Sequence, residues 1–307
     1  MLPDNLHIAV LMGGPGSERE VSLASGRAVV AALEGAGFEA VAVDVKGPDF
    51  ELPDGTGLAF NVIHGTFGED GQIQQILEQR GVPYTGAGVE SSRVAFDKQL
   101  AKERFVAAGV PTPASEMIDL VTGDESPVMR LPYVVKSPCQ GSSVGVYVCK
   151  TEEEAKAALD DVVRYGAMAL VEQYVAGREL TVAVLDDEAY PIVEIVAPGG
   201  VYDRANKYPW LSGSQGSQYF CPADLDGETT RRVQEAGLAG HRSLGIEVYS
   251  RVDVLLDADG NPFVIEANTI PGMTETSLLP KSAAAAGIAF PDLCLRIAGL
   301  SLERGRR

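Results

Sequence analysis

The segment 251–268, RVDVLLDADGNPFVIEAN, constrains the fold more than any other stretch of the chain. Its Asp259-Gly260 dipeptide sits between two apolar runs. Such a dipeptide favours a two-residue type I′ hairpin turn, where both central residues need positive φ. A turn of that length sets Leu256 opposite Phe263, Val254 opposite Ile265, Asp253 opposite Glu266 and Arg251 opposite Asn268. The period of two then gathers Arg251, Asp253, Glu266 and Asn268 on one face, and Val252, Val254, Leu256, Phe263 and Ile265 on the other. Like charges facing each other on a sheet destabilise it, so something positive has to sit between Asp253 and Glu266. One solution is Arg251 alone, in an exposed pair. The other is a metal: Asp253, Glu266 and Asn268 offer the hard oxygens that Mg²⁺ takes together with water and phosphate oxygens. Arg251 would then be free to face a developing negative charge.

The first part of the chain alternates strand and helix. Strands are expected over 7–11, 38–45 and 58–63 and helices over 17–34 and 71–80, which implies a small parallel α/β domain. Ser17 and Glu20 have capping-box spacing, so the turn Gly13-Gly14-Pro15-Gly16 should open onto a helix N-terminus. From Pro132 the texture changes to short paired strands, 132–136 with 144–149, then 169–174 and 179–185, as in an antiparallel α+β unit. The region 199–218, rich in Gly, Ser and Tyr, is too long and polar for a simple turn and reads as a lid or Ω-loop. A chain of 307 residues divides naturally into two or three units of about 100 residues. One boundary is expected near Ser91 to Asp97, after the turn-rich stretch 83–88.

Charge narrows the partners. With 25 basic against 43 acidic residues, a net −18, the chain lacks the basic surface that nucleic acid or an anionic membrane requires. A phosphate ligand would need a locally basic site or a metal. The first ten residues have no cationic start with an apolar core, and no run approaches the ~20 apolar residues of a membrane span, so a cytoplasmic protein is expected. Cys139, Cys149, Cys221 and Cys294 show no CxxC spacing and read as free thiols in a reducing compartment, Cys294 on a helical face with Phe290, Leu293, Ile297 and Leu300.

Three glycine patterns suggest other enzymes and fail on their details. Gly14-Pro15-Gly16 follows a strand, but Arg19 stands where a dinucleotide fingerprint needs its third glycine. The 81–86 glycines have P-loop spacing, yet Ala87 replaces the lysine. Gly141-Ser142-Ser143-Val144-Gly145 matches a hydrolase nucleophile elbow, which must pass from strand into helix, whereas a second strand follows here. A Gly-Ser loop between antiparallel strands, preceded by Lys136, instead suits a cover that donates backbone N–H groups to nucleotide phosphates. His64 ends a strand, where open α/β sheets bind ligands, and the residues alone leave it open between a structural and a functional role.

Taken in order, these segments resemble the D-alanine-D-alanine ligases over nearly the whole chain. The matching stretches include Gly13-Gly14 with Ser17-Glu18-Arg19-Glu20, His64-Gly65 with Gly68-Glu69-Asp70-Gly71, Asp97-Lys98, Val135-Lys136, Gly141-Ser142-Ser143-Val144-Gly145, Val171-Glu172, Gly177-Arg178-Glu179, Lys207-Tyr208, Arg251-Val252-Asp253 and Glu266-Ala267-Asn268 with Pro271-Gly272-Met273-Thr274. The resemblance implies an ATP-grasp fold: an N-terminal α/β domain (1–96), a central subdomain (97–185) and a C-terminal subdomain with the lid and hairpin (186–307). It implies ATP and Mg²⁺ (or Mn²⁺) as cofactors, D-alanine as substrate, a homodimer and a role in peptidoglycan precursor synthesis.

By the same resemblance, Lys98, Lys136 and Lys207 would contact the phosphates, Glu172 the adenine end and Glu179 the ribose. Asp253, Glu266 and Asn268 would hold the metal. Glu18 would take the ammonium of the first D-alanine and form a hydrogen-bonded set with Ser142 and Tyr208, and His64 would belong to the substrate site. Arg251 and the Gly272 N–H would stabilise the tetrahedral oxyanion, and Ser277 with the Leu278 N–H would receive the second carboxylate. Relatives that use D-lactate tend to lose the lid tyrosine, so Tyr208 favours D-alanine over D-lactate or D-serine as second substrate. The chain departs from the family's commoner pattern in Ser137 after Lys136, in Asn206 before Lys207 and in a longer lid.

Overall fold

The computed structural model of the chain describes residues 2–3, 5–122, 126–141, 143–200, 202 and 204–304, so Ser142 lies outside the described residues. The chain opens with β1 (His7–Gly13), α1 (Arg19–Gly35), β2 (Glu39–Val45), β3 (Leu58–Asn61) and α2 (Gln72–Gln79). β1 lies between β2 and β3 and runs parallel to both. Its alternate residues serve two cores: Ile8, Val10 and Met12 pack with Val29 and Leu33, while Ala9 and Leu11 pack with Ile73 and Leu77. A strand covered on both faces has to be apolar throughout, which is how this one reads.

The helix expected from Ser17 starts two residues later: α1 begins at Arg19 with Glu18 at its N-cap position, and the Glu18 side chain makes no capping hydrogen bond. The Glu18 carboxylate points into a cavity instead of back along the helix, as its contact with Tyr208 shows. Thr151 and Glu154 make a complete capping box at the start of a later helix, Glu152–Val162.

Two helices, α3 (Val89–Phe96) and α4 (Lys98–Ala107), lead out of the first unit, and Asp97 between them caps α4 by accepting from the N–H groups of Gln99 and Leu100. β4 (Ser115–Asp119), β5 (Tyr133–Lys136), β6 (Val146–Cys149), α5 (Glu152–Val162) and β7 (Met168–Gln173) build an antiparallel sheet of order β4-β7-β5-β6, with α5 packed against it. β8 (Gly177–Leu185), β9 (Glu188–Ala189), β10 (Val193–Val196), β11 (Gln218–Phe220), β12 (Tyr249–Asp257) and β13 (Pro262–Asn268) form the third sheet, in the order β11-β10-β8-β12-β13 with β9 beside β8. β8 pairs with β10 and β12, so the strands within 97–185 divide between the second and third sheets.

The polar stretch over 199–218 contains α6 (Arg204–Lys207) and α7 (Pro209–Ser212). After it, α8 (Gly227–Ser243) covers the third sheet, where Val233 and Ala236 meet Val182, Val252 and Val264. The last helices, α9 (Leu278–Ala285) and α10 (Phe290–Glu303), return to the first unit, burying Leu279, Ala283, Leu293 and Ile297 against Ile8 and Phe60. Among the described residues no single helix is long and apolar enough to cross a membrane. All four cysteines are free thiols, with Cys149 and Cys294 buried, Cys221 half-buried and Cys139 exposed.

Candidate active site

The hairpin of β12 and β13 keeps two of its four expected pairs. Arg251 faces Asn268 and Asp253 faces Glu266, but Val254 faces Val264 and Leu256 faces Pro262. The turn explains the difference, because it holds three residues rather than two. The Asp257 N–H donates to the Asn261 carbonyl at 3.1 Å, and the Asp257 carboxylate accepts from the N–H groups of Asp259 and Asn261 at 2.9 and 2.7 Å. Gly260 has φ +76 and closes a loop of the type I plus glycine form. The extra loop residue slips the ladder by one, and an unpaired Ile265 then restores the pairing as a β-bulge. Val264 therefore packs in the core, where Phe263 and Ile265 were expected, and Ile265 turns toward a cavity.

Two cavities meet at this hairpin. The first, about 420 Å³, is lined by Glu18, His64, Lys207, Tyr208, Arg251 and Asn268 together with Gly272, Ser277 and Leu278. The second, about 380 Å³, holds Lys98, Lys136, Glu172, Glu179, Lys207, Asp253 and Glu266. Asp253 and Arg251 thus stand in the wall between them. The Arg251 guanidinium donates to both Asp253 oxygens at 2.9 and 2.8 Å, and the Asn268 amide donates to one of them at 3.1 Å. Burial opposes the Arg251 charge, but Asp253 outweighs it and raises its pKa.

Glu266 is neutralised differently. The Lys98 ammonium lies 4.0 Å from its carboxylate and donates to the Gln140 carbonyl at 2.6 Å. Burial works against the Glu266 charge, yet Lys98, Lys207, Lys136 and Arg251 together hold its pKa down at about 2. Burial lowers the Lys98 pKa, against the pull of Glu266. Glu179 goes the other way, pushed up to about 7 first by burial, which Lys207 opposes, and further by Asp253 and Glu266.

Lys136 and Glu172 meet each other at the back of the second cavity. Glu172 is buried, and its carboxylate lies between the ammoniums of Lys136 and Lys102. Lys102 also donates to Thr112 Oγ1 at 2.6 Å and to the Pro113 carbonyl at 3.0 Å. Burial brings Lys102 down to about 8, with Glu172 opposing. Burial pushes Glu172 up, but the two lysines win and its pKa is lowered. Sequence reasoning missed Lys102; its position four residues after Lys98, on the same face of α4, was the available signal.

In the first cavity the buried His64 donates from Nδ1 to the Ile270 carbonyl at 2.8 Å and accepts at Nε2 from Ser25 Oγ at 3.0 Å. Ser25 Oγ in turn accepts the Met273 N–H at 3.2 Å. Glu69, another residue given no role from sequence, approaches His64 Nδ1 at 3.8 Å. Burial lowers the His64 pKa, but the carboxylates of Glu69 and Glu18 more than compensate and the net direction is upward.

The lid reaches both other units. The Tyr208 hydroxyl lies 3.5 Å from Glu18, and Ser143 Oγ donates to the Tyr202 carbonyl at 2.9 Å. Gly141 presses so closely on Glu18 that a Cβ there would lie 2.9 Å from the carboxylate. The Lys207 ammonium sits over the Tyr202 ring at 4.7 Å, and the hydroxyls of Tyr202 and Tyr219 are 3.2 Å apart. Ser277 precedes α9, and its hydroxyl meets Thr274 Oγ1 at 2.8 Å.

Residues 109–298 match the family described as D-ala D-ala ligase C-terminus, and residues 47–87 match the D-ala D-ala ligase N-terminus. The D-alanine--D-alanine ligase of Methylacidiphilum infernorum is 44% identical over 299 residues, covering 97% of this chain and 96% of that protein. The chain belongs to the D-alanine-D-alanine ligase family. The Bacillus anthracis D-alanine--D-alanine ligase complexed with ATP superposes with a TM-score of 0.82 at 30% identity, over 98% of each chain. The VanG D-Ala:D-Ser ligase of Enterococcus faecalis gives 0.82 at 26% identity, over 97% of this chain and 99% of its own. The two antiparallel sheets are accordingly those of an ATP-grasp ligase, with the parallel three-stranded unit as its N-terminal α/β domain.

Proposed function

We propose that the chain joins two D-alanine molecules into D-alanyl-D-alanine at the expense of ATP, supplying a peptidoglycan precursor. The observation that carries this reading is the shared wall of Arg251 and Asp253 between a cavity suited to small zwitterions and one lined by lysines and carboxylates. A carboxylate is a poor electrophile. In the proposed reaction its oxygen attacks the γ-phosphorus of ATP, ADP leaves, and an acyl phosphate results. The amine of the second D-alanine attacks that carbonyl, phosphate departs, and the amine proton passes to solvent. The protein's task is positioning and charge stabilisation.

Glu18 holds the first ammonium, with Tyr208 closing over it and His64 behind; Ser142 joins this set on the strength of the family resemblance. Arg251 and the Gly272 N–H face the oxyanion, and Ser277 with the Leu278 N–H receive the second carboxylate. Lys98, Lys136 and Lys207 meet the phosphates, Glu172 sits toward the adenine, and Glu179 toward the ribose. Asp253, Glu266 and Asn268 fit Mg²⁺ or Mn²⁺: two carboxylates and an amide converge on one face, and among the described residues no group of three or more His, Cys, Asp or Glu forms a self-sufficient cage. That donor set suits a cation that shares its coordination with phosphate oxygens, neutralising charge on the transferred group. Family membership also supports a cytoplasmic homodimer.

The likeness to a D-Ala:D-Ser ligase means that the fold alone does not choose the second substrate; Tyr208 beside Glu18 favours D-alanine. Purified protein with Mg-ATP is expected to release phosphate only when D-alanine is added, with the dipeptide accumulating in step. Equal release with L-alanine would contradict the assignment.

A further inference from the structure

Two free amino acids bring two carboxylates into the first cavity, and its cations are unequally placed to receive them. His64, Lys207, Arg251 and Lys281 all line it. His64 faces Glu69, and Arg251 is held at two points by Asp253. Lys207 also borders the second cavity, beside Glu179 and Glu266. Lys281, by contrast, enters no ion pair among the described residues, and its ammonium stands 6.0 Å from the centre of the Tyr219 ring. That ring steadies a cation without neutralising it.

Helix geometry aims this side chain at the subsite. Side chains on a helix tilt toward its N-terminus, so residues four apart stack on one face. Lys281 follows Ser277 by four, and its N–H bonds the Ser277 carbonyl at 2.9 Å. Lys281 and Ser277 therefore share a face of α9, and both line the first cavity with Leu278, at the end of the helix whose dipole favours an anion.

We infer that Lys281 is a specificity residue of the second amino-acid subsite, where its ammonium pairs with the free α-carboxylate of the acceptor and selects such amines over carboxyl-blocked ones. This rests on the ligase reading above. D-alaninamide separates the two ideas, because it has an amine but no carboxylate to phosphorylate and can serve only as acceptor.

The test offers D-alanine and D-alaninamide together, with Mg-ATP and D-alanine as donor, and reads the ratio of dipeptide to dipeptide amide by mass spectrometry. The wild-type chain is expected to favour the free acid strongly. Lys281→Met is expected to narrow that preference by about tenfold to a hundredfold, the size of a lost charge-assisted contact. It should raise the acceptor KM while leaving the ATP KM and the melting temperature at their wild-type values, and Lys281→Arg should restore the preference. Should Lys281→Met fail to fold, Lys281→Gln gives the same readout. A well-folded variant with an unchanged ratio, or a wild type indifferent to the amide, overturns the role of Lys281. Absence of any dipeptide from the wild type overturns the ligase reading instead.

Discussion

Glu172 is a carboxylate with two ammonium partners and almost no water. Breaking a buried pair leaves an uncompensated charge, which costs about 3–5 kcal/mol, whereas removing both charges is far milder. Glu172→Gln leaves the Lys102 and Lys136 ammoniums without their shared anion and should therefore destabilise the chain by about 3 kcal/mol, and adding Lys102→Met to it should recover part of that loss in urea unfolding. The family resemblance assigned Lys136 and Glu172 to separate ends of a nucleotide. It could not display their mutual contact, which arises because β5 and β7 run side by side and bring residues 36 positions apart together. Glu69 and Ser25 escaped notice for the same reason, since each matters only through His64, 5 and 39 positions away along the chain. Gly68 is a further position fixed by close approach: a Cβ there would lie 1.8 Å from the Ile63 carbonyl oxygen. Gly68→Ala should cost about 2–4 kcal/mol and displace the His64–Glu69 turn. A lowered melting temperature together with a raised D-alanine KM checks this; a neutral variant would show that the turn relaxes freely.

The β12–β13 hairpin was legible as an element but not in its full register. The Asp-Gly dipeptide and the apolar alternation announce a hairpin; they do not distinguish a two-residue turn from a three-residue one. The facing carboxylates were nevertheless placed correctly, because the longer turn and the bulge each shift the strand by one residue and cancel. Deleting Ile265 should consequently leave Asp253 opposite Glu266 and Arg251 opposite Asn268. The deletion variant is expected to fold, shown by a cooperative melt, while its ATP KM rises about tenfold because Ile265 lines the second cavity. Loss of the folded state would mean that the bulge itself is required. The start of α1 differs for a simpler reason: the chain turns the Glu18 carboxylate into the first cavity before the regular helix begins at Arg19.

For the whole molecule, acid stability should depend on a group far from the chemistry. His241 on α8 is buried against Ser250, with Nδ1 2.8 Å from its hydroxyl, and burial brings its pKa down to about 4, with Asp187 opposing. Above pH 6.5, the ordinary histidine value, the group is neutral in both states and costs nothing. As the pH falls from about 6.5 to 4 the unfolded chain takes up a proton that the folded chain refuses, so up to about 3 kcal/mol of stability is lost, and below pH 4 this contribution levels off. Urea midpoints measured across that range should show a slope for the wild type that His241→Gln reduces; parallel curves would exclude His241 as the cause. The order of the units was visible from the change in strand pattern along the chain. The placement of β8 in the third sheet was not, since a strand's partner is settled by tertiary pairing and not by its own residues.

Tyr202 and Lys207 border both cavities at once. A displacement of this segment would therefore reshape the walls of both cavities together, so in the proposed reaction nucleotide and amino acids would be loaded and discharged as one set and not one by one.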